Sequence, residues 1–202
     1  MDETRLLLED RVELPRLYIS WLTPAMFAGG DADLDLAADI LANGKTSRLY
    51  KRLVFDERIA TDVRRRRTRV KSPASCSSRR PAAPGHTLLE IERVMVEEIS
   101  RLAADGPTPD EMDRAKMQAE VQFVFRLQSV GGFGGKSDQL NAYNTFLGDP
   151  AFFDRDLQRY RDVTSSSLQA AVRGFCDHGR RVVLSVVPGA APISRCPIQR
   201  RR

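Results

Sequence analysis

Between Arg64 and Pro84 the chain loses every trace of hydrophobic periodicity, and that interruption constrains the fold more than any single residue does. The run Arg-Arg-Arg-Arg-Thr-Arg-Val-Lys-Ser-Pro-Ala-Ser-Cys-Ser-Ser-Arg-Arg-Pro-Ala-Ala-Pro carries three prolines and almost no apolar side chain. By composition it is not expected to build a core strand, so a sheet made from the flanking sequence would have its core strands disrupted around residues 64–83. The same residue types are what GC-rich coding DNA yields when it is read one base out of frame. The tract therefore reads either as a solvated linker or interaction tail, or as the product of two compensating frame shifts. Residues 191–202, with Cys196-Pro and a closing Arg-Arg-Arg, read in the same way as a disordered or frameshifted tail.

Sequence on both sides of the tract is strongly patterned. From Leu17 to Trp21, apolar residues alternate so that Leu17, Ile19 and Trp21 share one face, which predicts a half-buried strand that begins near Pro15. Leu34, Ala37, Ile40 and Leu41 form a helical stripe that opens near Asp31, a candidate cap, and closes at Asn43-Gly44. A second helix is expected over Ser47–Arg58, with Leu49, Leu53 and Val54 facing inward, and Ile59–Val63 should begin a strand. Beyond the tract, Thr87-Leu-Leu-Glu90 and Thr108-Pro-Asp-Glu111 are capping boxes, each opening a long amphipathic helix. Their stripes are Leu88, Ile91, Met95, Ile99 and Leu102, then Met112, Ala115, Ala119 and Phe123. Gly131-Gly-Phe-Gly-Gly135 breaks the second of these helices. A helix over Ser137–Phe146, an aromatic-anchored one around Phe152, Phe153 and Leu157, and one capped by Thr164 complete the helical set, and Arg180–Val187, apolar on both faces, predicts a central strand. This order predicts a single α+β domain over residues 1–190, a mostly antiparallel sheet with helices packed on one face.

Net charge is +5, a value that ordinarily points toward nucleic acid or a membrane surface. Its distribution is uneven: twelve cations, Arg64–Arg67, Arg69, Lys71, Arg79, Arg80, Arg195 and Arg200–Arg202, leave the remainder of the chain at −7. No apolar run is long enough to span a bilayer, and the first ten residues are too acidic for a signal peptide, so the sequence carries no address. Cys76 and Cys196 fall in the two anomalous segments and Cys176 reads as a small core residue, which fits neither a disulfide framework nor a zinc ribbon.

Catalytic chemistry has no visible seat. His86 and His178 are the only histidines, neither has a second ligand one helical turn away, and each reads as solvated. Gly131–Gly135 with Lys136 lacks Walker spacing and follows a helix, and Asn43-Gly-Lys-Thr-Ser47 lacks the upstream glycine of a phosphate loop. No serine sits on a nucleophile elbow and no cysteine is paired with a histidine at a diagnostic spacing. The expected catalytic and metal sets are therefore empty.

Four segments together carry a resemblance: Val12-Glu-Leu-Pro-Arg-Leu-Tyr-Ile-Ser-Trp21, Leu41-Ala-Asn-Gly-Lys-Thr-Ser-Arg-Leu-Tyr-Lys-Arg-Leu53, Pro84-Gly-His-Thr-Leu-Leu-Glu-Ile-Glu92 and Gly131–Asn144. With Arg181–Pro188 they resemble, in order and spacing, the C-terminal domain of the M16 zinc peptidases, the pitrilysin, insulinase and mitochondrial processing peptidase family. The resemblance implies two similar halves that close around a chamber, with zinc and an HxxEH motif in the N-terminal half. The C-terminal half would lack metal ligands and hold an extended peptide for its partner. This chain is accordingly expected to be a piece of a larger enzyme, inactive alone, holding no cofactor itself, and partnered by a zinc-bearing half and a peptide substrate. Asn43, Gly44, Lys45 and Arg48 are its candidate substrate-binding residues. Where family members place an assisting Arg and Tyr seven residues apart, Val54 and Thr61 stand, so that role is not carried over. Bacterial members are often exported, the signal lying in the other half. The rival expectation is a stand-alone protein that binds nucleic acid or an acidic partner through Arg64–Arg80, which the lack of interleaved aromatics disfavours.

Overall fold

The computed structural model describes residues 3–68, 74–132, 134–176, 180–189 and 199–201, of which 65–68, 74–80 and 199–201 are described by their backbone. Strands β1 (Thr4–Asp10) and β2 (Arg16–Thr23) lead into α1 (Asp31–Ala42) and a short α2 (Arg48–Tyr50) that continues as a π-helical turn over Lys51–Asp56. Strands β3 (Arg64–Thr68) and β4 (Ala74–Pro81) follow. Five helices come next: α3 (Leu88–Asp105), α4 (Pro109–Leu127), α5 (Lys136–Leu147), α6 (Phe153–Arg161) and α7 (Ser165–Phe175), before β5 (Arg181–Pro188) and β6 (Gln199–Arg201). The strand order is β3-β4-β2-β5-β1-β6, antiparallel throughout except where β1 runs parallel to β5. The expected α+β architecture, a mostly antiparallel sheet carrying helices, is the one observed.

The expectation that the sheet would be interrupted around 64–83 is corrected by the backbone. β4 pairs with β2 along its whole length, from Arg16 opposite Pro81 to Thr23 opposite Ala74, and β3 pairs with β4. A ladder uses main-chain N–H and C=O groups that every residue but proline supplies in full, so an arginine and serine tract can complete it where side-chain pattern gives no sign. Pro81 occupies the strand end, the position where a missing N–H is tolerated. Residues 199–201 pair with β1, whereas His178, Cys196 and Phe133 lie outside the described residues.

Alternation in β2 buries Leu17, Ile19 and Trp21, as the sequence pattern predicts, with Ile91, Val94, Met95, Ile99 and Leu102 of α3 in the same core. Both expected capping boxes form: Thr87 N–H donates to Glu90 Oε2 at 2.6 Å, and Thr108 N–H to Glu111 Oε2 at 2.9 Å. Thr164 caps α7 in the same reciprocal way with Ser167. At α1 the cap differs from expectation. Gly30, at φ 81°, occupies the cap position, and Asp31 instead accepts the Phe27 N–H at 2.9 Å.

Helix α1 is buried nearly all round, and its acidic side, Asp31 and Asp35, meets α6: Arg159 Nη1 lies 3.3 Å from Asp31 and Tyr160 donates to Asp35 at 2.6 Å. A second buried cluster joins helix to sheet. Glu92 of α3 receives Arg5 of β1 through two bonds of 2.9 and 2.6 Å and Arg181 of β5 through one of 2.8 Å, while Glu3 accepts from Arg181 at 2.6 Å.

The expected single helix over Ser47–Arg58 is α-helical only through Tyr50, then widens to π geometry and ends with Arg58 at φ 54°. Only glycine enters that left-handed region without a Cβ clash. Because the Arg58 side chain is exposed, Arg58→Gly should raise the unfolding free energy by about 1 kcal/mol in urea titration. Glu92→Leu, which strands Arg181 in the core with only Glu3, should instead lower it by about 3 kcal/mol in the same assay.

Candidate functional site

The helices cover one face of the sheet and leave the other open. On the covered face of β2 lie Leu17, Ile19, Trp21 and Thr23, all buried, and on its opposite face lie Tyr18 and Ser20, half-buried, and Leu22, which is 50% exposed. Strand β5 continues that face with Val182, 41% exposed, half-buried Leu184 and, opposite Arg16, buried Val186. Register sets Leu184 between Tyr18 of β2 and Leu6 of β1, an apolar row across three strands, and sets Val182 between Ser20 and Thr4. The tract-derived strands β4 and β3 extend the sheet beyond β2, with Arg64 opposite Arg79. Arg64 itself is strongly exposed, its Nε 2.6 Å from Asp62.

A second concavity lies on the helical side. It has a volume of about 590 Å³ and is walled by Arg48, Lys51, Arg52 and Arg101 with Asp56, Glu98 and Asp105. Most of that charge is already matched. Arg52 donates to Glu57 at 2.7 Å, to Glu98 at 3.0 Å and to Glu97, and Arg101 donates to Glu98 at 3.0 Å. Arg48 forks onto Glu111 at 2.7 and 2.6 Å and onto the Gly106 carbonyl at 3.1 Å, tying the α1–α2 turn to the start of α4. Burial alone would raise the Glu111 carboxyl, but Arg48 and the Thr108 N–H outweigh it and hold it below the usual carboxylate range.

Of the four candidate substrate-binding residues, the structure brings two into contact with α4: Arg48 through Glu111, and Asn43 through a 3.4 Å bond from its Nδ2 to Gln118. Gly44, at φ 77°, and Lys45 are exposed in the turn between them. Ser47, not singled out by sequence reasoning, is fully buried and donates to the Gly44 carbonyl at 2.8 Å, closing that turn. Among these residues, sequence position alone gave no sign that Arg48 faces a carboxylate 63 positions away. Val54 packs against the core, and the Thr61 N–H donates to the Pro81 carbonyl at 3.2 Å.

Among the described residues no group of three His, Cys, Asp or Glu side chains is arranged to hold a metal ion. His86 lies 3.7 Å from Glu90 at the opening of α3, a solvent-facing contact. No described helix is long and apolar enough to cross a membrane.

The family profile described as the peptidase M16 inactive domain matches residues 3–119. Among curated proteins none matches by sequence. The fold is similar to a protease from Helicobacter pylori, at TM-score 0.81 and 18% identity, covering 93% of this chain and 45% of that one. It is also similar to the inactive peptidase domain of a Bordetella parapertussis protein named as a zinc protease, at TM-score 0.77 and 21% identity, covering 93% of this chain and 97% of that one. The ferredoxin protease FusC, solved in complex with Arabidopsis ferredoxin, is similar at TM-score 0.66 and 16% identity, covering 93% of this chain and 20% of that one. The chain thus spans under half the length of the first and third of these proteins and nearly all of the isolated inactive domain.

Since the folded Glu111 carboxyl titrates below its unfolded value, its contribution to stability is full above the ordinary carboxylate range and is lost as pH falls through the folded value. Glu111→Gln should therefore cost about 1–3 kcal/mol near neutrality and flatten the acid limb of a plot of stability against pH.

Proposed function

The chain belongs to the M16 peptidases, matching the inactive domain of that family, and from this premise we propose that it is the non-catalytic half of a zinc endopeptidase, enclosing an extended peptide for a separate zinc-bearing half. One observation carries the proposal: the sheet is packed with helices on one side and presents a helix-free, partly apolar face on the other. A wall of that kind holds substrate without needing a reactive group of its own. Burying an alternating peptide against Leu22, Val182 and Leu184 would add apolar contact at about 25 cal/mol per Å².

Catalysis then requires the other half to bring the zinc, its open coordination position and the water it activates. The neighbour solved with a bound ferredoxin supports a whole protein or a long segment of one as the kind of substrate such an assembly admits. For Arg48 the role that fits its geometry is to brace the α1–α2 turn against α4, while exposed Lys45 is the member of the Asn43–Arg48 set best placed to meet an incoming chain.

Purified alone, the chain should neither retain stoichiometric zinc after dialysis nor cleave unfolded casein. Mixed with a zinc-bearing M16 half from the same source, it should increase cleavage by that half by at least about tenfold, as expected when binding energy is used to orient substrate. Zinc retention at one ion per chain, together with cleavage by the chain alone, would overturn the reading.

A further inference from the structure

We infer that the open face of the sheet selects peptides carrying acidic residues between apolar ones, a specificity set by the arginine-bearing strands β3 and β4. The inference rests on the proposed role of that face as a substrate wall and names the class of peptide it favours. Two features meet on it. The first is the apolar row of Tyr18, Leu184 and Leu6, with Val182 and Leu22 beside it. The second is charge: backbone pairing sets β4 directly against β2 with Arg79 opposite Tyr18, and β3 against β4 with Arg64 opposite Arg79 and Arg66 opposite Ser77, so register puts these three arginine positions in line with the open face.

Distance makes this charge felt on the open face. Neighbouring strands are about 4.8 Å apart, so β4 lies one spacing and β3 about two from the backbone of β2. The screening length at physiological ionic strength is about 8 Å, comparable with that separation. By register Arg64, Arg66 and Arg79 fall in line with the open face and Arg65, Arg67 and Arg80 with the covered one, Arg64 also pairing with Asp62, while the chain outside the two basic segments is net acidic. A peptide lying across β2 and β5 is therefore drawn by its carboxylates toward the β4 side, while its apolar residues settle on Leu184 and Val182. A basic peptide with the same apolar pattern meets like charge.

The test uses the full chain and three fluorescein-labelled peptides of one length and one alternating leucine pattern, with Glu, Ser or Lys at the polar positions, followed by fluorescence anisotropy. The Glu peptide should bind at least about tenfold tighter than the Lys peptide, with the gap narrowing as salt is raised. Leu22→Glu, which removes an apolar contact for every peptide, should weaken the Glu peptide several-fold more than the Ser peptide, whereas Leu22→Lys should weaken the Glu peptide less than the Ser peptide. Replacing Arg64, Arg66 and Arg79 together by Ser should abolish the charge preference, with circular dichroism confirming that the variant is folded. If all three peptides bind equally, the charge inference falls and the peptide wall stands. If none binds, the wall itself falls. Should a single-stranded oligonucleotide of equal charge compete as well as the Glu peptide at every salt concentration, the strands attract any polyanion and peptide selection is overturned.

Discussion

Helix α3 is held to the sheet by charge as well as by apolar contact, and most of the molecule is arranged around that attachment. Ile91, Val94, Met95, Ile99 and Leu102 fill the core beneath β2, while Glu92 on the same helix gathers Arg5 from β1 and Arg181 from β5. A buried carboxylate with three charge-assisted bonds tolerates few alternative positions, because a shift that breaks one leaves a desolvated charge unmatched. The cluster therefore fixes more than strength: it sets how far α3 lies along two strands that come from opposite ends of the sequence. With α3 fixed, α7 packs beside it and α1 against α7, and the helical layer falls on one side. The bare face is the other product of the same arrangement.

Local signals in the sequence translated into structure wherever the determinant was itself local. Thr87 with Glu90, Thr108 with Glu111 and Thr164 each fixed a helix start, because a cap is a contract between residues three apart. The buried stripes of α3 and α4, and the central place of β5, followed from periodicity alone. Where the determinant was distant, the sequence was mute. Thr4–Asp10, charged at both ends around three leucines, becomes a strand because β5 supplies a parallel partner, and nothing within those residues announces it. Strands β3 and β4 are the sharper case, since composition argued against them and only pairing to β2 establishes them. The π-helical turn over Lys51–Asp56 also had no signature, and its consequence is the left-handed Arg58 that follows.

The candidate site was legible to a similar degree. Resemblance led to the α1–α2 turn and to Arg48, yet the guanidinium is bound by Glu111 and the Gly106 carbonyl, a use that no spacing rule anticipates. Conversely, the apolar row across β2, β5 and β1 combines three segments that look unremarkable separately and acquires meaning only from register. A face of a sheet is a nonlocal object. Its residues are chosen by strand order, which a linear reading does not hold.

Strand order also has a temporal side. β5 lies between β2 and β1, so the two strands nearest the start of the chain are joined through a strand that is synthesised only after α7. Until residue 188 is available, β1 has no parallel neighbour, Glu92 lacks Arg181, and β2 exposes one whole edge. Such pairing carries a large loop-closure cost that must be met before the contacts repay it, which makes the final docking step slow compared with helix formation. During that interval the unpaired edge of β2 is the surface through which a nascent chain would stick to others, since an open strand edge is a template for pairing with another chain.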